Sequence, residues 1–293
     1  MTRFIASTAC ALLVTAAIAA QTPPRTPQPG AAPSAASPDI NTPRPIEAVD
    51  TVMMEEMTWM EIRDAMRAGR KTVIVATGGV EQNGPYLTSG KHNFVLRATA
   101  PAIARKLGNA LVAPIVGFVP EGDIDPPTGH MKYPGTVSLQ ESTFRALLTD
   151  VASSFKSEGF EHIILIGDSG GNQAGMKAVA ETLSAKWGAG GTTIHFIPEY
   201  YDYPGTSKWI EETLGVKQRD EGLHDDIVIS STIMTVDPAQ VRMKQRIAAG
   251  KFSINGVEMA PAEKTIELGK KIVDHRAEVT VAAIKKALGR ATH

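Results

Sequence analysis

Beyond residue 50 the chain alternates two kinds of apolar spacing. Short continuous apolar runs occur at residues 72–77 (TVIVAT), 110–115, 162–166 (HIILI) and 192–197 (TTIHFI). Runs of that length without polar interruption predict parallel strands buried on both faces. Between them, apolar residues recur every three or four positions, predicting helices over 94–107, 139–157 and 172–187. An earlier helix carries the stripe Trp59, Ile62, Met66; Thr58 and Glu61 fit a capping box at its start, and Gly69 ends it. After the last strand, helices are predicted over 206–214, 225–234 and 261–288. Strand alternating with helix predicts an α/β fold with a mainly parallel sheet flanked by helices. No internal repeat is present.

One stretch breaks the pattern. Residues 117–133 are rich in Gly and Pro and carry Glu121, Asp123, Asp125 and His130 without periodicity. Loops that long inside compact domains are usually functional. The N-terminus breaks it differently. Arg3 precedes an apolar stretch over 4–18 that closes on Ala17-Ile18-Ala19, so residues 1–19 read as a secretory signal peptide. The stretch is shorter than the roughly 20 residues a spanning helix needs. Eight prolines follow between residues 21 and 49, and with so few aliphatic side chains to bury, residues 20–50 are expected to be a disordered linker. The folded domain is then 51–293, in a protein exported to the periplasm or secreted, with no membrane contact once the signal is removed.

Composition narrows the function. The chain has 30 Lys+Arg against 31 Asp+Glu, a balance that argues against nucleic acid as partner. The single cysteine, Cys10, lies in the signal, which excludes an intrachain disulfide or a cysteine metal site. A small-molecule substrate is expected. Ligands of open parallel α/β sheets bind beyond the carboxyl ends of the strands, and two strand ends carry unusual polar turns. After TVIVAT comes Gly78-Gly79-Val80-Glu81-Gln82-Asn83-Gly84-Pro85, and after HIILI comes Gly167-Asp168-Ser169-Gly170-Gly171-Asn172. If those strands are neighbours, Glu81 and Asp168 point into one crevice. Either acid could instead cap the helix that follows it. Trp59 and Trp187 are expected in the core, and the segment Tyr200-Tyr201-Asp202-Tyr203 on a pocket wall.

These turns resemble the motifs of the creatininase (creatinine amidohydrolase) family. Its G-S-x-E-Q-H-G-P-H-L-P-x-G-T-D is similar to GGVEQNGPYLTSGKH at 78–92, and its H-x-x-F-P-G-T-x-S-L to the run from His130 to Leu139. Its N-G-H-G-G-N resembles Gly167 to Asn172, its H-A-G-x-x-E-T-S resembles His224 to Ser231, and a following D-P-x-x-V-R matches Asp237 to Arg242. The resemblance implies a three-layer creatininase-like fold, metal-dependent hydrolysis of a small amide or cyclic amide C–N bond, and a homo-oligomer, possibly a hexamer. It also implies a two-metal centre, and there the sequence departs. Glu81 keeps the first ligand, but Asn83 and Ser169 replace histidines, His92 replaces the bridging Asp, and Ile229 replaces the later acid.

Because Asp168 arrives one residue before the lost histidine, Glu81, His92 and Asp168 could still hold one Zn²⁺, Mn²⁺ or Fe²⁺. Such a metal would lower the pKa of water and polarise a carbonyl. His224 stands where the family has a catalytic histidine, implied to shuttle a proton, with Glu81 beside it in catalysis. Substrate contacts are expected from His130, Ser169, Asn83, Glu121, Asp125 and Tyr201. Two other readings stay open. Gly167 to Gly171 (GDSGG) satisfies the spacing of a nucleophile elbow, allowing a serine hydrolase built on Ser169, His224 and Asp225 or Asp226. The lost ligands equally suit an inactive protein that binds a small ligand in an inherited crevice.

Overall fold

A computed structural model describes residues 38–188 and 190–291. The expected signal peptide, and the expected linker as far as residue 37, lie outside them. One compact unit runs from residue 46 onward; residues 38–45 belong to a separate unit and contain no helix or strand. Within the compact unit the order is α1 (Trp59–Arg67), β1 (Thr72–Thr77), α2 (Lys91–Leu107), β2 (Ala110–Val112), α3 (Glu141–Glu158), β3 (His162–Gly167), α4 (Gln173–Trp187) and β4 (Thr193–Phe196). Then follow α5 (Tyr203–Leu214), α6 (Ile227–Met234), α7 (Met243–Ala248), the small hairpin β5 (Ser253–Ile254) and β6 (Val257–Glu258), and the long α8 (Ala262–Ala291).

The four larger strands form one parallel sheet in the order β2-β1-β3-β4. Side chains alternate faces along a strand, and both faces are covered. Val73, Val75, Ile163 and Leu165 pack with Phe144 and Leu148 of α3 and Met176 and Leu183 of α4. Ile74, Ala76, Ile164 and Ile166 pack on the other side with Leu96 and Ile103 of α2 and Ile284 of α8. That double burial is why the strand sequences run apolar without alternation. The α/β architecture is therefore as expected. β1 and β3 are direct neighbours, paired from Thr72↔His162 to Thr77↔Gly167. They end level, so the turns carrying Glu81 and Asp168 leave the sheet side by side.

Several boundaries differ from expectation for physical reasons. α1 carries the full capping box between Thr58 and Glu61, but Trp59 is not core: it is 41% exposed, with the Arg63 guanidinium over its ring. Trp187 does pack against the core. β2 stops at Val112, shortly before Pro114, which cannot donate to a ladder. α2 starts at Lys91, three residues before the first apolar position of its stripe. This early start places Lys91 and His92 in the first helical turn, beside the end of β1. The short α7 and the β5–β6 hairpin give too few residues to form a period. Among the described residues, no helix is long and apolar enough to cross a membrane.

Leu165 is fully buried at the centre of the sheet. Leu165→Ala should cost about 2–5 kcal/mol, whereas Trp59→Ala should cost about 1 kcal/mol or less. Urea denaturation of the two variants measures the contrast.

Candidate active site

The centre of the site is an imidazole held between two carboxylates. His92 lies in the first turn of α2, with Nδ1 2.9 Å from Asp168 Oδ2 and Nε2 2.8 Å from Glu81 Oε1. Glu81 comes from the turn after β1 and Asp168 from the turn after β3, so the two strand ends clasp the helix N-terminus. Asp168 is wholly buried and accepts from three further groups: Arg276 of α8 at 3.1 Å, the Tyr200 hydroxyl at 3.1 Å and the Tyr203 hydroxyl at 2.9 Å. The Arg276 guanidinium also lies over the rings of Tyr200 and Tyr203, 4.7 Å from each centroid. Below them, Asn172 ties the two turns together by donating to the carbonyls of Thr77 and Gly78.

Glu121 approaches from the long loop. Its Oε2 accepts from Ser169 Oγ at 3.1 Å, while its buried Oε1 has no hydrogen-bond partner. Two glycines make the approach possible: a Cβ at Gly79 would collide with Glu121 Oε1, and one at Gly171 with the Pro120 carbonyl. Glu81, His92 and Glu121, all buried, present ligand atoms that lie within 4.8 Å of one another. This trio fits a divalent cation, because two carboxylates and a nitrogen converge and one oxygen is left unsatisfied.

The electrostatics separate the acids into roles. Burial and the neighbouring charge of Glu81 push Glu121 up to about 8. Burial also raises Glu81, but hydrogen bonding to His92 and the charge of Lys91 outweigh it and hold the carboxyl far below the usual range. For Asp168, burial is likewise outweighed, by His92 and then Arg276, and its pKa is lowered. Burial would lower His92, yet its bonds to Asp168 and Glu81 raise it overall. The clamp thus sets a carboxyl group that favours its charged form on each side of the ring.

On the open side, His130 Nε2 lies 3.1 Å from Glu81 Oε2, and the His130 and His224 rings stack at 4.6 Å. The Lys91 ammonium is 3.1 Å from Glu81 Oε1 and 3.4 Å from His224 Nε2. Glu81, His92, Glu121, His130, Ser169 and Tyr201 are among the walls of a cavity of about 500 Å³, a volume suited to a small molecule.

The expected site residues are therefore only partly brought together. Glu81, His92 and Asp168 do meet, but not around one point: Asp168 and Glu81 face opposite edges of the imidazole, and Asp168 is already committed to Arg276 and the tyrosines. Asp168 orients His92, and Glu121 stands where a second carboxylate ligand was expected. His130, Ser169, His224 and Tyr201 line the cavity. Asn83 is instead turned into its own loop, donating to the carbonyls of Glu81 and Thr88. Asp125 is exposed and off the cavity wall, and Asp123 braces the loop through Thr128.

No serine triad forms. Ser169 Oγ donates to Glu121 and accepts from the Gly171 N–H, so it caps a turn rather than facing His224. Asp225 is buried against Ser230 Oγ, and Asp226 caps α6 by accepting from the Ile229 N–H. Lys91, Arg276 and the paired roles of Tyr200 and Tyr203 were not legible beforehand. Arg276 stands 108 residues from Asp168 along the chain, and only the α8 docking brings it in.

Two stability predictions follow from these buried charges. Arg276→Met leaves Asp168 buried without its cation and should cost about 3–5 kcal/mol, measured by chemical denaturation. Burial raises Asp225 from 3.8 to about 7, so between those values the native state holds a proton that the unfolded chain has released. Stability should therefore fall as pH rises through that window. Asp225→Asn removes the fall, so its melting temperature relative to the parent should be higher at pH 8 than at pH 4.

Comparison with known proteins places this geometry. The creatinine amidohydrolase family model matches residues 55–284. The chain is 28% identical over 120 residues to the 3-dehydro-scyllo-inosose hydrolase of Thermotoga maritima, covering 41% of this chain and 36% of that protein. It is 26% identical over 207 residues to the mycofactocin precursor peptide peptidase of Mycolicibacterium smegmatis, covering 68% and 78%. Among solved structures, a creatinine amidohydrolase superposes with a TM-score of 0.56 at 18% identity over 83% of this chain and 98% of that one. A creatininase variant of Zn-Zn type and a creatininase in Mn form share the fold, at TM-scores of 0.53 and 0.54; their respective identities are 19% and 18%, over 82% and 81% of this chain and 98% and 97% of theirs. The five motifs, the parallel sheet and the matched span agree, and the chain belongs to the creatinine amidohydrolase (creatininase) family.

Proposed function

We propose that the protein is a metal-dependent hydrolase of a small amide or cyclic amide C–N bond, with Glu81, His92 and Glu121 holding one divalent cation. The observation that carries this reading is the unsatisfied Glu121 Oε1, buried beside Glu81 and His92. A buried carboxyl oxygen without a partner is costly unless a proton or a cation binds it, and a cation beside Glu81 and His92 would displace the proton that burial favours on Glu121. Relatives named as a hydrolase and a peptidase support the reaction class, and creatininases in zinc and manganese forms support Zn²⁺ or Mn²⁺, with Fe²⁺ compatible with the same donors.

When bound, the cation supplies Lewis acidity, letting water ionise near neutral pH and polarising the scissile carbonyl. The protein's own groups do the rest. Asp168 accepts the Nδ1 proton of His92 and fixes the ring so that Nε2 faces the cation site. His224 donates Nδ1–H to the Gln82 carbonyl at 3.2 Å, so its Nε2 is the basic nitrogen. With a side chain 42% exposed, it can exchange its long 3.4 Å contact from Lys91 at Nε2 for a proton and pass that proton to the departing nitrogen. Tyr201 and His130 form walls against which a flat amide can lie. The apolar segment 4–18 and its Ala-Ile-Ala end support export, and the family supports a homo-oligomer.

The test combines metal analysis with turnover of small cyclic amides, creatinine among them. Purified protein should carry Zn²⁺ or Mn²⁺ and lose hydrolysis on chelation. Glu121→Gln should lose both the metal and more than about 100-fold in rate, and Asp168→Asn should lose roughly 10–100-fold, as expected for a residue behind a ligand. A metal-free protein, or a Glu121→Gln variant with full hydrolysis, would remove the proposal.

A further inference from the structure

The Glu81 carboxylate belongs to two groups of possible ligands. One is the buried Glu81, His92 and Glu121; the other is Glu81, His130 and His224, at the cavity mouth. In a family whose resemblance implies a two-metal centre, a shared carboxylate between two groups suggests two ions. The side chain of Lys91 argues otherwise. It enters the site from the first turn of α2, is only 1% exposed, and places its ammonium against Glu81 Oε1 and His224 Nε2. Lysine is almost never buried to that degree unless its charge is paired.

We propose that the Lys91 ammonium takes the place of the second metal ion, so that the protein binds one divalent cation, at Glu81–His92–Glu121, and none at Glu81–His130–His224. The inference rests on the metal reading above.

Hydrogen bonding in the second group agrees. Gln82 Nε2 lies 3.3 Å from His130 Nδ1; its amide donates there, so His130 carries its proton on Nε2 and gives it to Glu81. His224 uses Nδ1–H on the Gln82 carbonyl and accepts from Lys91 at Nε2. The tautomers set by these partners leave neither ring with a free lone pair aimed at Glu81. Charge counting points the same way. With a cation bound, Glu121 would be ionised and His92 neutral; Glu81, Glu121 and Asp168 would then face Lys91 and Arg276, leaving one negative charge over. One divalent ion leaves the cluster one charge positive, whereas two would leave it three positive in a largely buried site, which is strongly disfavoured. In the sequence, Lys91 stands where the family motif has the Thr of G-T-D, directly before the exchanged His92.

The experiment saturates the full chain with Mn²⁺, removes free ion by gel filtration, and records both metal per chain and the electron paramagnetic resonance spectrum. The parent should hold one ion with an uncoupled hyperfine pattern. His130→Ala should still hold one, and Glu121→Gln none. Lys91→Met, which removes the charge and keeps the bulk, should take up a second ion and show the broadened signal of a coupled pair. Two ions in the parent, loss of the ion in His130→Ala, or a folded Lys91→Met that stays at one ion would each overturn the inference. If Lys91→Met does not fold, the counts for the parent and His130→Ala decide it. Two ions in the parent would leave the metal mechanism standing, whereas no ion in any form would remove both.

Discussion

The site depends on one arrangement: a buried imidazole with a carboxylate against each of its nitrogens. The groups come from three places that only the fold brings together. The level ends of β1 and β3 supply the turns of Glu81 and Asp168, and the first turn of α2 supplies His92. Each partner removes a degree of freedom from the ring. Asp168 could not serve if it were mobile, and it is held by Arg276 from α8 together with the Tyr200 and Tyr203 hydroxyls. The longest helix thus acts on the site at a distance, through a charge fixed inside the core. Preorganisation of this kind lets a small set of side chains act on a bound group without first rearranging.

The same arrangement explains how the family scaffold tolerates exchanged ligands. Where the motif has a bridging Asp, this chain has His92, and Asp168 lies against Nδ1 of its ring, on the edge away from Glu81. Glu121 then approaches from the long loop, through the gap left by Gly79 and Gly171. The unusual acid–base pattern follows: burial, and then the neighbouring Glu81 charge, push Glu121 toward neutrality, while His92 and Lys91 let Glu81 keep its charge. A cavity bounded by such a pair, with stacked histidines at its mouth, is equipped both to hold a cation and to move protons.

Legibility varied with the kind of signal. The strands were readable because burial on both faces leaves a continuous apolar run, as in TVIVAT and HIILI. Helix stripes become readable only where apolar residues recur, so the pattern predicts α2 from Phe94 and says nothing of its polar first turn at Lys91. That turn holds Lys91 and His92, so the boundary error fell on the chemistry. Motif position points to Glu81 and His92, and the fold does bring the two together. Asp168 was found too, but its role could not be read, because opposite edges of one ring look the same in a sequence as two sides of one ion. Arg276 left no signal at all: a lone arginine in an amphipathic helix reads as solvated until its docking is known. Asn83 lies off the cavity because a polar residue in a loop can serve the loop's own backbone, as it does at the carbonyls of Glu81 and Thr88.

The most direct test is an anomalous-difference map from a crystal of the full chain grown with Mn²⁺ or Zn²⁺. The account predicts a single peak bounded by His92 Nε2 and the carboxylates of Glu81 and Glu121, with Asp168 on the far edge of the ring and still bonded to Arg276. A peak ligated by Asp168, or a map with no peak near Glu121, would contradict it.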